Sequence, residues 1–90
     1  MSYNIYQMDW KQTFVSTYSI SNTGILRNKR GLYLKPTKTG MVYLYDNHKI
    51  YYVPLWVLVA NAFIAPTGKV LEHIDGDPSN NNVSNLRYIL

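Results

Sequence analysis

The sequence contains no cysteine. That absence excludes a disulfide scaffold, a cysteine-ligated zinc finger and thiol catalysis, so the core must hold by apolar packing, and a reducing, cytoplasmic setting is expected. Long apolar runs are missing too. The longest, over residues 53–63, is broken by Pro54 and Asn61 and falls far short of the roughly 20 residues a membrane helix needs. The N-terminal stretch carries Asp9 and Lys11 within polar, Tyr-rich sequence, which is not the basic start and apolar centre of an export signal. Acidic side chains are scarce. Across residues 11–49 there are seven Lys or Arg and a single acid, Asp46.

What is present is core-forming. Hydrophobic residues make up 47% of the 90, charged residues 16%, a balance that predicts one small folded domain and argues against disorder. The net charge of +4 is unevenly placed: the basic front half suits a polyanion such as DNA, whereas Glu72, Asp75 and Asp77 gather around His73, where a divalent cation is one candidate ligand.

Along the chain, Phe14 to Ile20 is rich in β-branched and aromatic residues and predicts a strand. Ser21-Asn22-Thr23-Gly24 marks a turn before a second strand at Ile25-Leu26-Arg27. A short strand at Leu32-Tyr33-Leu34 follows the Arg30-Gly31 turn. Val42 to Tyr45 and Ile50 to Val53 predict a hairpin across Asp46-Asn47-His48-Lys49. Leu55, Leu58, Val59, Ala62 and Phe63 recur at helical spacing behind Pro54, predicting one helix over residues 54–63. Extended sequence resumes at residues 70–74, and a terminal strand or strand pair is expected after the Asn80-Asn81-Asn82 run, itself read as a loop tip whose amides satisfy their own backbone. The expected fold is α+β: a small N-terminal antiparallel sheet, one central helix and a C-terminal hairpin. Trp10, Ile20, Ile25, Leu44, Leu55, Leu58, Val59, Phe63 and Leu86 are the expected core.

Two sets of residues carry a family resemblance. Trp10-Lys11, then Tyr18 to Asn28, then Leu34-Lys35-Pro36 and Gly40 resemble the modular DNA-associated motif at the N-terminus of phage and intron HNH homing endonucleases. Leu58 to Ile64, Glu72-His73-Ile74-Asp75-Gly76-Asp77, Asn80-Asn81 and Asn85-Leu86-Arg87-Tyr88 are similar to the HNH core of the same enzymes. The resemblance implies an N-terminal β motif over residues 1–50 and a partial HNH region over 51–90, packed as one unit, with a ββα-metal (His-Me finger) site. It implies Mg²⁺ or a similar divalent ion, Glu72 as metal ligand, His73 as general base and Asn85 as the residue that orients the histidine loop. It further implies duplex DNA as partner, reached through Arg27, Lys29, Arg30, Lys35 and Lys38, in the cytoplasm of a bacterial host.

Three departures bear on activity. The family's remaining ligand lies on a helix after Asn85, so the chain is expected to be truncated before it. Glu72 is one methylene longer than the usual Asp or Asn. Trp56-Val57 replaces a common His-Arg pair. Asp75, two residues from His73, is a substitute ligand if the strand continues, and a homodimer is another way to complete the set. Trp56 is expected either in the core or, with Tyr51 and Tyr52, in an interface for a protein partner. Two functions follow: a DNA-binding, HNH-endonuclease-like protein with little or no cleavage, or a catalytically dead phage-type protein that binds and inhibits a host defence or nuclease protein.

Overall fold

The computed structural model describes residues 8–90, with radius of gyration 12.9 Å. Four short strands, β1 (Trp10–Gln12), β2 (Tyr18–Ser21), β3 (Leu26–Asn28) and β4 (Tyr33–Leu34), form an antiparallel meander in sequence order. A separate hairpin pairs β5 (Met41–Asp46) with β6 (Lys49–Pro54), helix α1 spans Leu55–Phe63, and a second hairpin pairs β7 (Val70–His73) with β8 (Leu86–Ile89), which is preceded by a 3₁₀ turn at Val83–Asn85. This is the α+β arrangement expected, with the front half divided between two sheets. The boundary expected at residue 50 falls inside β6.

The strand expected from Phe14 begins only at Tyr18. Thr13 closes the intervening turn: its hydroxyl donates to the Val15 carbonyl at 2.7 Å and accepts from the Val15 amide at 3.1 Å, and this local pairing competes with a strand ladder despite the β-branched composition. Val15, carried on that turn, is nonetheless buried. At the next turn the Ser21 side chain accepts from the Ile25 amide, delaying β3 to Leu26. Register then pairs Leu26 with Ile20 on one side and Leu34 on the other, which sends Leu26 inward and leaves Ile25 half-buried. In the β5–β6 hairpin the turn is made by Asn47 at φ +54°, a left-handed conformation Asn tolerates better than most residues.

Helix α1 starts one residue later than predicted. Pro54 sits just before it as N-cap in extended geometry without a side-chain cap. Its carbonyl and fixed φ suit a helix start, but the first amide needs a partner, and Leu55 donates to the Gly40 carbonyl at 2.9 Å. Leu55, Leu58, Val59 and Ala60 are buried, and with Ile20, Leu26, Val42, Leu44 and Leu86 they make the core. Trp10 and Phe63, expected in that core, lie at its margin. Trp10 turns to the outer face of β1 beneath the Arg27 guanidinium, and the Phe63 ring carries the Lys11 ammonium 4.9 Å from its centroid. Tyr18, Val42 and Ala60 join Val15 and Leu26 as core members the periodicity did not single out.

Leu58 is 1% exposed on the face of α1 that supports all of this. Leu58→Ala is expected to cost about 2–5 kcal/mol through lost burial and cavity formation, lowering the melting temperature by about 10 °C or more. Ile50→Ala, at a position 62% exposed, is expected to leave the transition within about 0.5 kcal/mol of wild type. Thermal melts followed by circular dichroism check both.

Candidate functional site

β7 ends at His73, opposite Leu86 on β8. Side chains alternate along a strand, so His73 and Leu71 face the helix while Glu72 and Val70 face away. The imidazole lies against the indole of Trp56, with ring centroids 4.4 Å apart and planes at 59°. On its far side, Nε2 is 2.8 Å from Asn81 Oδ1. With that oxygen accepting, the neutral ring carries its proton on Nε2 and its lone pair on Nδ1. Trp56 is half-buried, packs against the edge of the core and forms one wall for the histidine.

The loop after His73 is tied down by amides. Asn85, buried, accepts from the Asp75 amide at 3.1 Å and donates through Nδ2 to Asp75 Oδ1 and the Asn80 carbonyl, both at 2.9 Å. Asp75 Oδ1 also takes the Asp77 amide at 2.8 Å, and Oδ2 takes Asn80 Nδ2 at 2.9 Å. These bonds favour the charged carboxylate, so Asp75 is held below the ordinary carboxylate range, by the Asn80 side chain first, then the Asp77 amide and the Asn85 side chain. Asp77 is lowered likewise by the Ser79 hydroxyl and amide. Gly24 fixes the loop from the other side. At φ +88° it packs so close that an added Cβ would lie 2.9 Å from Asn81 Cβ, while the Val83 amide donates to the Asn22 carbonyl at 2.8 Å.

The expected metal set is not brought together. Glu72, on the opposite face from His73, is paired with Arg87 Nε across the hairpin. Asp75 does not extend the strand to share a face with His73: the chain turns at residues 74–76, and both its oxygens are engaged within the loop. Among the described residues no three His, Asp or Glu side chains converge on a point where an ion would sit. As arranged, these residues do not fit a divalent cation, which needs several free oxygen ligands.

The basic residues fall on three surfaces. Arg27, Lys29 and Arg30 line a concavity of about 400 Å³ with Ser16, Thr17 and Ser19. Within it the Arg27 guanidinium lies 3.8 Å from the Trp10 ring centroid. Lys35 lines a second concavity, beside Tyr43 and Tyr45, and Lys38 a third, between the 36–41 and 78–81 loops, floored by Trp56 and reaching Asn81. The expected interface of Tyr51, Tyr52 and Trp56 divides as well. Tyr51 faces inward and packs edge-on against Phe14, centroids 5.1 Å apart, whereas Tyr52 faces outward against Tyr43.

Comparison with known proteins then places the chain. A sequence model described as HNH endonuclease matches residues 64–89. The solved structure of the HNH homing endonuclease I-HmuI, reported for DNA binding and cleavage, superposes with a TM-score of 0.80 at 33% identity over 91% of this chain. Together the two likenesses support an HNH endonuclease family assignment. It spans about half of the I-HmuI chain, 52%. No curated protein matches it. Among the described residues, no helix is long and apolar enough to cross a membrane.

At the histidine, Asn81 is a side chain to which the sequence reading gave no role of its own. The signal was the Asn80-Asn81-Asn82 run, read as a self-satisfied loop tip; in fact only Asn82 caps locally, through Ser84. Because the folded pKa of Asp75 is depressed, its ionisation stabilises the loop above the ordinary carboxylate pKa, and this contribution is lost as pH falls through the lowered folded value. Asn80→Ala is expected to raise the Asp75 pKa toward the ordinary range. A carboxyl-carbon NMR titration of wild type and variant checks it, and an unmoved midpoint would show the Asn80 bond to be without effect.

Proposed function

We propose that this HNH-like chain binds duplex DNA through its N-terminal sheet and does not cleave DNA by itself. The observation that carries the reading is the Arg27 site. Arg27 is a half-buried cation flattened on Trp10 at 3.8 Å, and Lys29 and Arg30 crowd the same concavity with three hydroxyl side chains. Stacking fixes the guanidinium plane so that less rotamer freedom is lost when it meets a phosphate or a base edge. The hydroxyls add donors of the kind that position proteins on phosphate backbones. The likeness to I-HmuI over nearly the whole chain supports DNA as the polyanion.

Cleavage of this class draws on a divalent ion to stabilise charge on the phosphate and leaving oxygen, and on a base beside the attacking water. This chain supplies a histidine with Nδ1 free of hydrogen bonds among the described residues, on a loop that Asn85 holds in shape. Among the described residues it supplies no free carboxylate beside that ring: Glu72 is turned away and paired with Arg87, and Asp75 is spent on the loop.

Fluorescence anisotropy with a labelled duplex over a salt series is expected to show salt-sensitive binding. Arg27→Glu/Lys29→Glu should weaken it and flatten the logarithmic salt slope by about two. No binding at low salt would remove the DNA reading and turn attention to a protein partner. In a plasmid-nicking assay with Mg²⁺ or Mn²⁺, wild type and His73→Ala are expected to be equally silent. Metal-dependent nicking that disappears in the variant would establish an active endonuclease.

A further inference from the structure

The β5–β6 hairpin has a second face that the core does not use. Register places Tyr43 opposite Tyr52 and Tyr45 opposite Ile50, and alternation puts all four on the side away from Val42 and Leu44, which are buried. Each is exposed, from 49% for Tyr43 and Tyr52 to 62% for Ile50. Tyr43 and Tyr52 touch, with ring centroids 4.6 Å apart and planes at 41°, so the aromatic surface is preformed. Contiguous exposed apolar surface of this kind marks a contact site on a soluble fold.

The surroundings select the ligand. Tyr43 and Tyr45, two of these rings, form one side of a concavity of about 390 Å³ whose rim carries Lys35 and Thr37. The nearest acid in sequence, Asp46, is paired in register with Lys49 and alternates to the other side of the hairpin. Across residues 11–49 the balance is seven positive charges to one negative, so a polyanion is favoured over a protein surface of ordinary charge. An intact duplex hides the faces of its bases in the stack and presents only edges and phosphates, for which tyrosine rings in a row are a poor match. Unpaired bases expose their faces, and stacking on aromatic side chains beside a cationic groove is how single strands are held without sequence preference.

We infer that the outer face of the β5–β6 hairpin is a stacking platform for the bases of an unpaired DNA strand, with Lys35 meeting its phosphates. The inference rests on the DNA-binding reading for its class of ligand, but it uses a different surface from Arg27.

The test is anisotropy with a single-stranded poly-thymidine oligonucleotide and a duplex of mixed sequence, on the full chain. Wild type is expected to bind both. Tyr43→Ala/Tyr52→Ala should weaken single-strand binding by about tenfold or more, the effect of losing stacked bases, with duplex affinity unchanged. Tyr43→Phe/Tyr52→Phe keeps the rings and should bind the single strand as wild type does. The unchanged duplex affinity of the Ala variant, with the binding of the Phe variant, separates loss of the platform from loss of the fold.

Duplex binding without single-strand binding in wild type would overturn the platform and leave the Arg27 site standing; failure of both ligands would remove the two readings together. Equal loss of both ligands in the Ala variant would also overturn it. So would a wild-type dimer that the Ala variant breaks in sedimentation, which would assign the face to self-association.

Discussion

One nine-residue helix carries the apolar surface against which the small antiparallel sheets are assembled. A two-stranded hairpin is marginal in water, and the meander is built of strands no longer than four residues. Each becomes stable by burying one face on a shared floor. Leu55, Leu58 and Val59 supply it, packed with Ile20 and Leu26 from the meander, Val42 and Leu44 from the first hairpin, and Leu86 from the second. An α-helix turns about 100° per residue, so Trp56, next to Leu55, emerges on an adjoining face, where the His73 ring meets it. The element that supplies the core thus also sets the position of the histidine.

With no cysteine to form a disulfide, the chain uses asparagine where backbone pairing runs out. Asn22 accepts from the Asp9 amide through its side chain and from the Val83 amide through its carbonyl, tying the start of the meander to the approach to β8. Asn28 holds the following turn by accepting from the Arg30 and Leu32 amides. Asn85 and Asn81 do the same for the histidine loop and the histidine. The described residues leave no buried side-chain polar atom without a partner, the condition under which a polar network specifies a structure instead of weakening it.

Periodicity made the helix, both hairpins and six of the core residues legible, because each rests on a repeat of 3.6 or 2 that is read locally. The misses have local causes of another kind. Thr13 and Ser21 bond to nearby amides and delay the strand starts, from Phe14 to Tyr18 and from Ile25 to Leu26, and the second shift exchanges Ile25 for Leu26 in the core. Trp10 is expected in the core from its strand period, yet its partner is a cation on the next-but-one strand, a pairing visible only once β2 lies between them. The contact Asn81 makes was not legible: its partner is eight residues away across a loop, and nothing in a run of three asparagines says which one leaves the loop to reach a ring.

Strand alternation also decides how a motif of adjacent residues is to be understood. Glu72 and His73 are neighbours in sequence, but on β7 they face opposite sides, just as Tyr51 and Tyr52 do on β6. On its side Glu72 meets Arg87, and an arginine beside a carboxylate does electrostatically part of what a bound cation would, neutralising it with a charge-assisted bond. The substitution is incomplete in a way that matters for chemistry. A guanidinium is a hydrogen-bond donor of fixed geometry that cannot bring a water to a phosphate or lower that water's pKa, and its positive charge opposes the entry of a second cation at the same carboxylate. The hairpin therefore keeps its charge balance without an ion. That gives a physical reason for the histidine loop to keep its shape with Glu72 held by Arg87 on the opposite face of the hairpin.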